Sequence, residues 1–400
     1  GDGGMTYPLT DIGGIANFVN GFAFKPEDWG VDGLPIIRIQ NLTDPSKPYN
    51  FTTRKVPDKY LVNRGDVLVS WSATIDVFEW AGDSALLNQH IFKVEFDQSK
   101  IDKDYFKIAL KKTISDLSRI AHGSTMKHVV KKDFEGHQIP LPSIEDQIRM
   151  AHLLSKVEVL IAQRKQHLQQ LDDLLKSVFL KIFGDPVRND RGWNTKLFSE
   201  LLEDIQSGKS PKCEARVATG HEWGVLKLGA VTRCRFDETE NKALPQNVAP
   251  SERDEVKTGD LLFSRKNTYE LVAACAYVFD TRPKLLMPDL IFRFKFKSDA
   301  KVNPIFMWKL LTNDSQRKAI QSLAAGAAGS MPNISKAKLK TVLLPTPPLH
   351  LQNHFATVVE KVEALKSYFQ QNLFDLEALY GTLSQQAFKG ELDLMRVTVA

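Results

Sequence analysis

The sequence has few cysteines and no long apolar run. Its three cysteines, Cys213, Cys234 and Cys275, lack the spacing of a metal site, and any disulfide scheme leaves one thiol over. We therefore expect reduced thiols in a cytoplasmic protein and no bound metal. No apolar stretch approaches the roughly 18 residues that a membrane-spanning helix needs, and no signal-peptide pattern opens the chain. These absences exclude a membrane protein.

Sequence motifs for catalysis are missing as well. Gly208-Lys209-Ser210 resembles the end of a phosphate-binding loop, but Glu203 stands where that loop requires a glycine. His350 and His354 have helical spacing without the glutamate that a zinc hydrolase places after its first histidine. Thr346-Pro347-Pro348-Leu349 lacks the amide or carboxylate and the aromatic ring of an amino-methyltransferase, and no glycine-rich cofactor loop follows a strand. The sequence thus predicts a non-catalytic protein without a cofactor, against the alternative of a self-contained methyltransferase or nuclease.

What the chain does have is an ordinary globular composition, with charge placed unevenly. Its 400 residues, 42% hydrophobic and 25% charged, suit two domains with real cores. Residues 5–144 balance 17 basic against 17 acidic side chains, whereas residues 184–347 carry 26 against 19. The basic excess of the second segment is compatible with nucleic-acid binding without demanding it.

The second half of the chain repeats the plan of the first. In each half an apolar series with alternating steps of three and four residues runs for nine positions, 205 residues apart, and eight of the nine are apolar. The apolar positions are Leu154, Val157, Ile161, Leu168, Leu171, Leu175, Val178 and Ile182, then Val359, Val362, Phe369, Leu373, Leu376, Tyr380, Leu383 and Ala387. Arg164 and Lys366 are the exceptions. Such a series predicts two long helices packed as an antiparallel coiled coil.

A globular segment precedes each predicted helix. Short apolar runs bounded by turn residues predict strands at 35–39, 66–70 and 90–96, then at 225–228, 259–264, 273–279 and 290–296. Helical patterns occupy 104–118 and begin again at Pro304. The predicted fold class is mixed α/β (α+β), with globular domains at 5–143 and 184–347 and long helices at 144–183 and 348–392.

Several repeated motifs resemble one known family. Gly65-Asp66-Val67-Leu68-Val69-Ser70 is matched by Gly259-Asp260-Leu261-Leu262-Phe263-Ser264. Ile139-Pro140-Leu141-Pro142 precedes a helix bearing Gln147, as Leu344-Pro345-Thr346-Pro347 precedes one bearing Gln352. With the ending from Leu383 to Leu392, the pattern is similar to that of the specificity subunit of type I restriction–modification systems, over almost the whole chain.

The resemblance implies a DNA-binding subunit with two target recognition domains in tandem. Each domain would read one half of a bipartite sequence in double-stranded DNA, and the paired helices would fix the spacer between the halves. The helices would also dock two modification subunits, which methylate adenine at N6, and restriction subunits driven by ATP would join them. The alternative is a coiled-coil scaffold or adaptor whose globular ends bind other proteins.

Base readout needs hydrogen-bonding side chains on loops beside the sheet, and phosphate contact needs cations. The candidate DNA-binding residues in the first domain are Ser70, Trp71, Ser72, Thr74, Ser124, Thr125, Lys127, His128 and Lys131. In the second domain they are Arg265, Lys266, Asn267, Thr268, Tyr269, Ser330, Asn333 and Lys336. The two sets lie at corresponding points of the repeat and differ in side chains, as expected of domains that read different bases.

Overall fold

The structure, a computed structural model, describes residues 7–120, 131–325 and 331–397. It divides into two compact units. Unit 1 is formed by residues 1–164 with 372–400, and unit 2 by residues 165–371. Both boundaries fall inside the long helices, so each unit contains one globular domain and one half of each helix.

Unit 1 has a mixed fold of short strands and helices. Its strands are β1 (Leu9–Asp11), β2 (Ala16–Asn20), β3 (Leu34–Ile37), β4 (Asn50–Thr52), β5 (Leu61–Val62), β6 (Val67–Ser70), β7 (Asp76–Glu79), β8 (Ala85–Leu87), β9 (Ile91–Phe96) and β10 (Gln138–Pro140). Its helices are α1 (Ile39–Thr43), α2 (Lys103–Ile120), α3 (Lys131–Glu135) and the first half of α4 (Ile144–Phe183). The sheet orders are β2-β9-β6-β7, β4-β3-β8-β5 and β1-β10.

Unit 2 repeats this order of elements. Its strands are β11 (Thr195–Leu197), β12 (Leu202–Ser207), β13 (Gly224–Leu226), β14 (Asn241–Ala243), β15 (Leu261–Ser264), β16 (Cys275–Tyr277), β17 (Leu285–Leu286), β18 (Ile291–Phe296) and β19 (Leu343–Pro345). Its helices are α5 (Phe198–Leu201), α6 (Gly229–Thr232), α7 (Pro304–Thr312), α8 (Asp314–Gln321), α9 (Lys336–Lys340) and the first half of α10 (Leu349–Lys389). The sheet orders are β12-β18-β15-β16, β14-β13-β17 and β11-β19.

The two units share their sheet topology except for one edge strand. In unit 1, β6 pairs antiparallel with β7 and β9, while β3 runs parallel to β8. In unit 2, β15 pairs antiparallel with β16 and β18, while β13 runs parallel to β17. Where unit 1 has β5 beside β8, unit 2 keeps a single bridge between Glu255 and Leu286. The prediction of a mixed α/β fold in tandem repeat with two long helices is confirmed.

Both ends of α4 follow from local chemistry. The Ser143 hydroxyl accepts a hydrogen bond from the Asp146 backbone N–H at 3.2 Å, which caps the first turn. Gly184 adopts a φ of 75° just after the last residue of α4, a backbone conformation that glycine tolerates best. Gly390 ends α10 in the same way, at a φ of 74°, so this helix stops three residues short of the predicted 392.

Each hydrophobic core is completed by parts of both long helices. In unit 1, Leu154 of α4 and Phe388 of α10 join the core of the first globular domain, and Phe388 stacks on Tyr105 of α2. In unit 2, Phe183 of α4 packs edge-to-face against Phe355 of α10 at 5.4 Å between ring centroids. Each globular domain is therefore held by the first half of one helix and the second half of the other.

Within each unit the helix segments run antiparallel. In unit 1, Tyr380 donates a hydrogen bond to Glu158 at 2.8 Å. In unit 2, the Lys366 ammonium contacts Asp172, and His167 lies beside Phe369. All the predicted apolar seam positions are buried or half-buried. The central ones are half-buried because a pair of helices covers only one side of each.

Candidate nucleic-acid interface

The hairpin between β6 and β7 is closed by a buried serine. Ser70, the last residue of β6, is fully buried, and its hydroxyl donates to the Thr74 carbonyl at 2.5 Å. The same hydroxyl accepts from the Asp76 backbone N–H at 3.0 Å. Because both its donor and its acceptor are used inside the hairpin, Ser70 holds the turn and has no group free for a base. The DNA contact predicted for Ser70 stays a prediction, and the structure gives this residue a role inside the hairpin.

Trp71, the next residue, is half-buried just after the end of β6. Its indole N–H donates to the Asn20 side chain at 2.9 Å, and its ring lies 4.8 Å from His90 and 5.8 Å from Phe92. Trp71 thus forms an aromatic surface whose polar atom is occupied. Ser72 is half-buried and Thr74 is exposed. They are the polar side chains at the tip of this hairpin.

Lys131 begins α3 on the same unit. Its ammonium lies 3.1 Å from the Asn17 amide oxygen on β2 and 3.5 Å from the Glu135 carboxylate. The side chain remains nearly half exposed, so its charge faces solvent beside the end of the sheet that carries β2. The predicted contacts Ser124, Thr125, Lys127 and His128 lie outside the described residues.

Arg265 occupies in unit 2 the position that Trp71 occupies in unit 1. Its backbone N–H donates to the Leu290 carbonyl, as that of Trp71 donates to His90. Its guanidinium lies 5.5 Å from the Phe292 ring, which matches the contact between Trp71 and Phe92. One repeated position therefore carries an indole in the first domain and a cation in the second.

The guanidinium of Arg265 is held by two neighbouring loops. Its Nε donates to the Asp289 carbonyl at 2.7 Å and its Nη1 to the Asn333 side-chain oxygen at 2.8 Å. The Asp289 carboxylate lies 3.8 Å from Nη2. About a quarter of the side chain stays exposed, and the two hydrogen bonds fix the orientation of the guanidinium.

The four residues after Arg265 differ in how far their side chains are exposed to solvent. Asn267 is buried, and its side-chain oxygen accepts from the Thr268 backbone N–H at 2.8 Å, so it supports the turn from within. The DNA contact predicted for Asn267 stays a prediction, and the burial of this side chain gives it a role inside the turn. Lys266 is half-buried, whereas Thr268 and Tyr269 are exposed.

Asn333 and Lys336 approach Arg265 from a distant part of the sequence. Asn333 exchanges two backbone hydrogen bonds with Ala325, each at 3.0 Å, and its side chain receives Arg265. Lys336 is exposed in the first turn of α9, with its ammonium 5.6 Å from the Phe292 ring. The structure thus brings Arg265, Asn333 and Lys336 together around one aromatic ring. Ser330 lies outside the described residues.

Ser210 belongs to this site, and the sequence did not predict it. Its hydroxyl contacts the Asp289 carboxylate, and it accepts from the Asp289 backbone N–H at 3.1 Å. The chain can pass this closely because of Gly208, where a Cβ would lie 1.8 Å from the Met287 carbonyl oxygen. Gly21 is the equivalent residue in unit 1, where a Cβ would lie 1.9 Å from the Asn88 carbonyl oxygen. A glycine repeated just after β2 and β12 was the signal available in the sequence.

Other candidate chemistry finds no support in the part of the chain that the structure describes. These residues contain no cluster of three or more histidine, cysteine or acidic side chains suited to a metal. The three cysteines are free, and burial raises the pKa of the Cys275 thiol. Among the same residues no helix is both long and apolar enough to cross a membrane.

The first domain and its helix match a known family. A family model described as the type I restriction modification DNA specificity domain matches residues 5–172. The type I restriction enzyme EcoBI specificity subunit of Escherichia coli is 23% identical over 412 residues, which cover 94% of this chain and 84% of that protein. The MjaVIII specificity subunit of Methanocaldococcus jannaschii is 25% identical over 346 residues, which cover 83% and 79% of the two chains.

Solved structures share the fold at low sequence identity. The crystal structure of a type I restriction–modification system S subunit from M. genitalium aligns over 97% of both chains, with a TM-score of 0.60 and 13% identity. A chain from a study of complex assembly and conformational transition of the type I restriction–modification system aligns over 97% of this chain and 99% of that one. Its TM-score is 0.52 at 15% identity.

Proposed function

Because the chain belongs to the specificity subunits of type I restriction–modification systems, we propose that its two domains each read one half of a bipartite DNA target. The observation that carries this proposal is the repeated position held by Trp71 and Arg265. It sits at the same hairpin in both units and packs on equivalent phenylalanines, yet it offers different chemistry. Two readers on one scaffold with different side chains suit two half-sites of different sequence.

The exposed side chains at each hairpin have the chemistry for base and backbone contact. Hydroxyl, amide and guanidinium groups pair with base edges, and lysines neutralise phosphates. In unit 2 we assign base contact to Thr268, Tyr269 and the free edge of Arg265, and phosphate contact to Lys336. In unit 1 the corresponding polar groups are Ser72 and Thr74, with Lys131 for phosphate. Ser70 and Asn267 are left out because they are buried.

The two long helices suit the role of a spacer. Each has about 40 residues, and at roughly 1.5 Å per residue such a helix is about 60 Å long. A rigid helix pair would set the distance between two half-sites by geometry, as the separation of the readers does in dimeric DNA-binding proteins. The bases between the half-sites would then not be read.

Large apolar side chains exposed on the helices suit protein partners. Tyr368 is 66% exposed and Phe374 67% exposed on α10, and Val159 and Leu160 are exposed on α4. Exposed apolar side chains on a long helix are candidates for a protein interface where they form one patch. We assign these positions to docking of two modification subunits, which would methylate adenine at N6, with restriction subunits joining them. The chain itself would recognise DNA without catalysing a reaction.

The test is to co-express the chain with its cognate modification subunit and to map N6-methyladenine in the host DNA. Methylation confined to a split motif with a fixed gap is the expected result, and exchanging residues 184–347 for those of a relative should change one half-site only. A complex that assembles but methylates no specific sequence would contradict the proposal. That outcome would favour the scaffold alternative.

A further inference from the structure

The hairpin loop of unit 2, residues 265–274, is longer than its counterpart in unit 1, residues 71–75. In unit 1 the Ser70 hydroxyl ties the short loop through the Thr74 carbonyl. In unit 2 the equivalent Ser264 hydroxyl is buried without a hydrogen-bond partner. The longer loop has moved beyond the reach of this serine, so it needs support from elsewhere.

That support comes from two side chains of α8. The Gln321 amide Nε2 lies 3.3 Å from the carbonyl oxygens of Tyr269 and Glu270 and 3.1 Å from that of Val272. The Arg317 Nη2 lies 3.1 Å from the Glu270 oxygen and 3.5 Å from the Val272 oxygen. One amide and one guanidinium therefore serve three carbonyl groups of the loop.

Helix α8 is itself fixed to the domain by its N-cap and its buried side chains. Its first turn is capped by the Asn313 side chain, which accepts from the Ser315 backbone N–H at 3.1 Å. Ile320 and Gln316 are buried on its inner side. Arg317 and Gln321 are four residues apart, so they project from one face of the helix. The donors are thus fixed by the domain core and not by the loop itself.

We propose that Arg317 and Gln321 are positioning residues that hold this loop in its base-reading conformation and thereby set the specificity of the second half-site. The proposal rests on the function proposed above. The loop presents Thr268 and Tyr269, both exposed, and neither Arg317 nor Gln321 needs to touch DNA. Their effect is to order the backbone before binding, which lowers the entropic cost of forming the base contacts.

The loop needs these donors because three of its carbonyl groups converge on one point. Three oxygens at the end of one turn face the same way, and their partial negative charges repel unless donors lie between them. A guanidinium adds a full positive charge at that point. Without both donors the carbonyls would turn toward water and the loop would sample several conformations. Bases read by the loop would then be discriminated poorly.

The experiment uses the full chain co-expressed with its modification subunit, with methylated motifs mapped in host DNA. Gln321→Glu keeps the side-chain volume but replaces the amide donor by an oxygen that repels the carbonyls, and Arg317→Lys keeps the charge but loses the planar fork. Lys318→Ala is the matched control, because it removes an exposed positive charge from the same helix. Thermal unfolding of each variant is measured alongside.

We expect either single variant to relax discrimination at bases of the second half-site by about three- to tenfold, as loss of one or two hydrogen bonds implies, with the first half-site unchanged. Lys318→Ala should keep the parental motif. An unchanged motif in both variants would overturn the proposal. So would loss of methylation at all sites together with a lowered unfolding temperature, since that marks a general structural role. If the unmodified complex itself methylates no bipartite motif, the proposed function fails first, and this inference with it.

Discussion

Gln147 and Gln352 make the same three hydrogen bonds at equivalent points of the two long helices. The Gln147 side-chain oxygen accepts from the Asp102 backbone N–H at 2.8 Å, and its amide donates to the carbonyls of Lys100 and Pro142. The Gln352 side chain accepts from Asn303 at 2.9 Å and donates to Lys301 and Pro347. Both glutamines are almost fully buried. Each one joins the start of a long helix to the globular domain that precedes it.

Replacing either glutamine should destabilise its unit strongly. Gln147→Leu or Gln352→Leu fits the space but leaves one N–H and two carbonyls without partners, at about 1 to 3 kcal/mol for each buried polar group. We expect a loss of about 3 kcal/mol in the free energy of unfolding, measured by urea denaturation. Gln169→Leu, on the exposed face of α4, should change stability by about 0.5 kcal/mol or less. Equal effects at the buried and exposed sites would show that the three bonds do not stabilise the junction.

A buried lysine occupies the seam of unit 2. Lys366 is 2% exposed and contacts Asp172 of α4 and Glu363 of its own helix. Glu363 also lies 3.4 Å from the Lys309 ammonium. Removing the anion should therefore be worse than removing one cation, because Glu363→Gln takes away the carboxylate that Lys309 and Lys366 share and leaves Lys366 with Asp172 alone.

We expect Glu363→Gln to lower the free energy of unfolding by about 3 kcal/mol. Lys366→Met should change it by about 1 kcal/mol or less, since Lys309 still neutralises the carboxylate and an apolar side chain suits the seam. Chemical denaturation of both variants measures the difference. A larger loss for Lys366→Met than for Glu363→Gln would contradict this order.

The stability of unit 2 should also depend on pH through Lys309. Burial lowers the pKa of its ammonium to about 8, against the opposing attraction of Glu363. Below that pH both the folded and unfolded chains carry the proton, and the full penalty of the buried charge applies. Between about pH 8 and the ordinary lysine pKa of roughly 10.4, only the unfolded chain keeps the proton, so the free energy of unfolding rises with pH.

The comparison with Lys309→Met isolates this effect from other titrating groups. Relative to the variant, the parent chain should gain on the order of 2 kcal/mol in unfolding free energy between about pH 8 and pH 10. Parallel stability curves for the two proteins over this range would show that Lys309 does not titrate as expected.

The apolar series repeated in the two halves of the sequence was enough to predict the architecture. Which polar residues are exposed and able to bind DNA depends on burial, which the sequence does not show. The helix predicted at 144–183 has the same bounds as α4, where Ser143 caps the first turn and Gly184 follows the last residue. The contact residues were harder to predict. Ser70 has a polar side chain on a loop boundary, and only the geometry of the hairpin shows that its hydroxyl is consumed.

Contacts between distant segments were the main omission. Ser210 meets Asp289 and Arg317 meets Glu270, and neither pair has a spacing or motif that predicts contact. The repeat shows that Trp71 and Arg265 are equivalent positions. It does not show that each of them packs on a phenylalanine, Phe92 and Phe292 respectively. Aligning the two halves of the repeat shows which residues are equivalent. It does not show which side chains are free to bind.

The uneven charge of the two domains leads to a last prediction about DNA binding. Residues 5–144 are electrically neutral, so the isolated full chain should bind duplex DNA weakly and mainly through its second domain, with affinity falling steeply as salt rises. Lys336→Gln should reduce the slope of log affinity against log salt by about 0.9 without altering base preference, because one phosphate contact is lost. Lys242→Gln, which removes an exposed charge from β14 in the other sheet, is the control and should leave the slope unchanged. Fluorescence anisotropy over a salt series on a labelled duplex measures both. Equal slopes for Lys336→Gln and the parent chain would exclude Lys336 from the phosphate contacts, and tight binding insensitive to salt would contradict the electrostatic account as a whole.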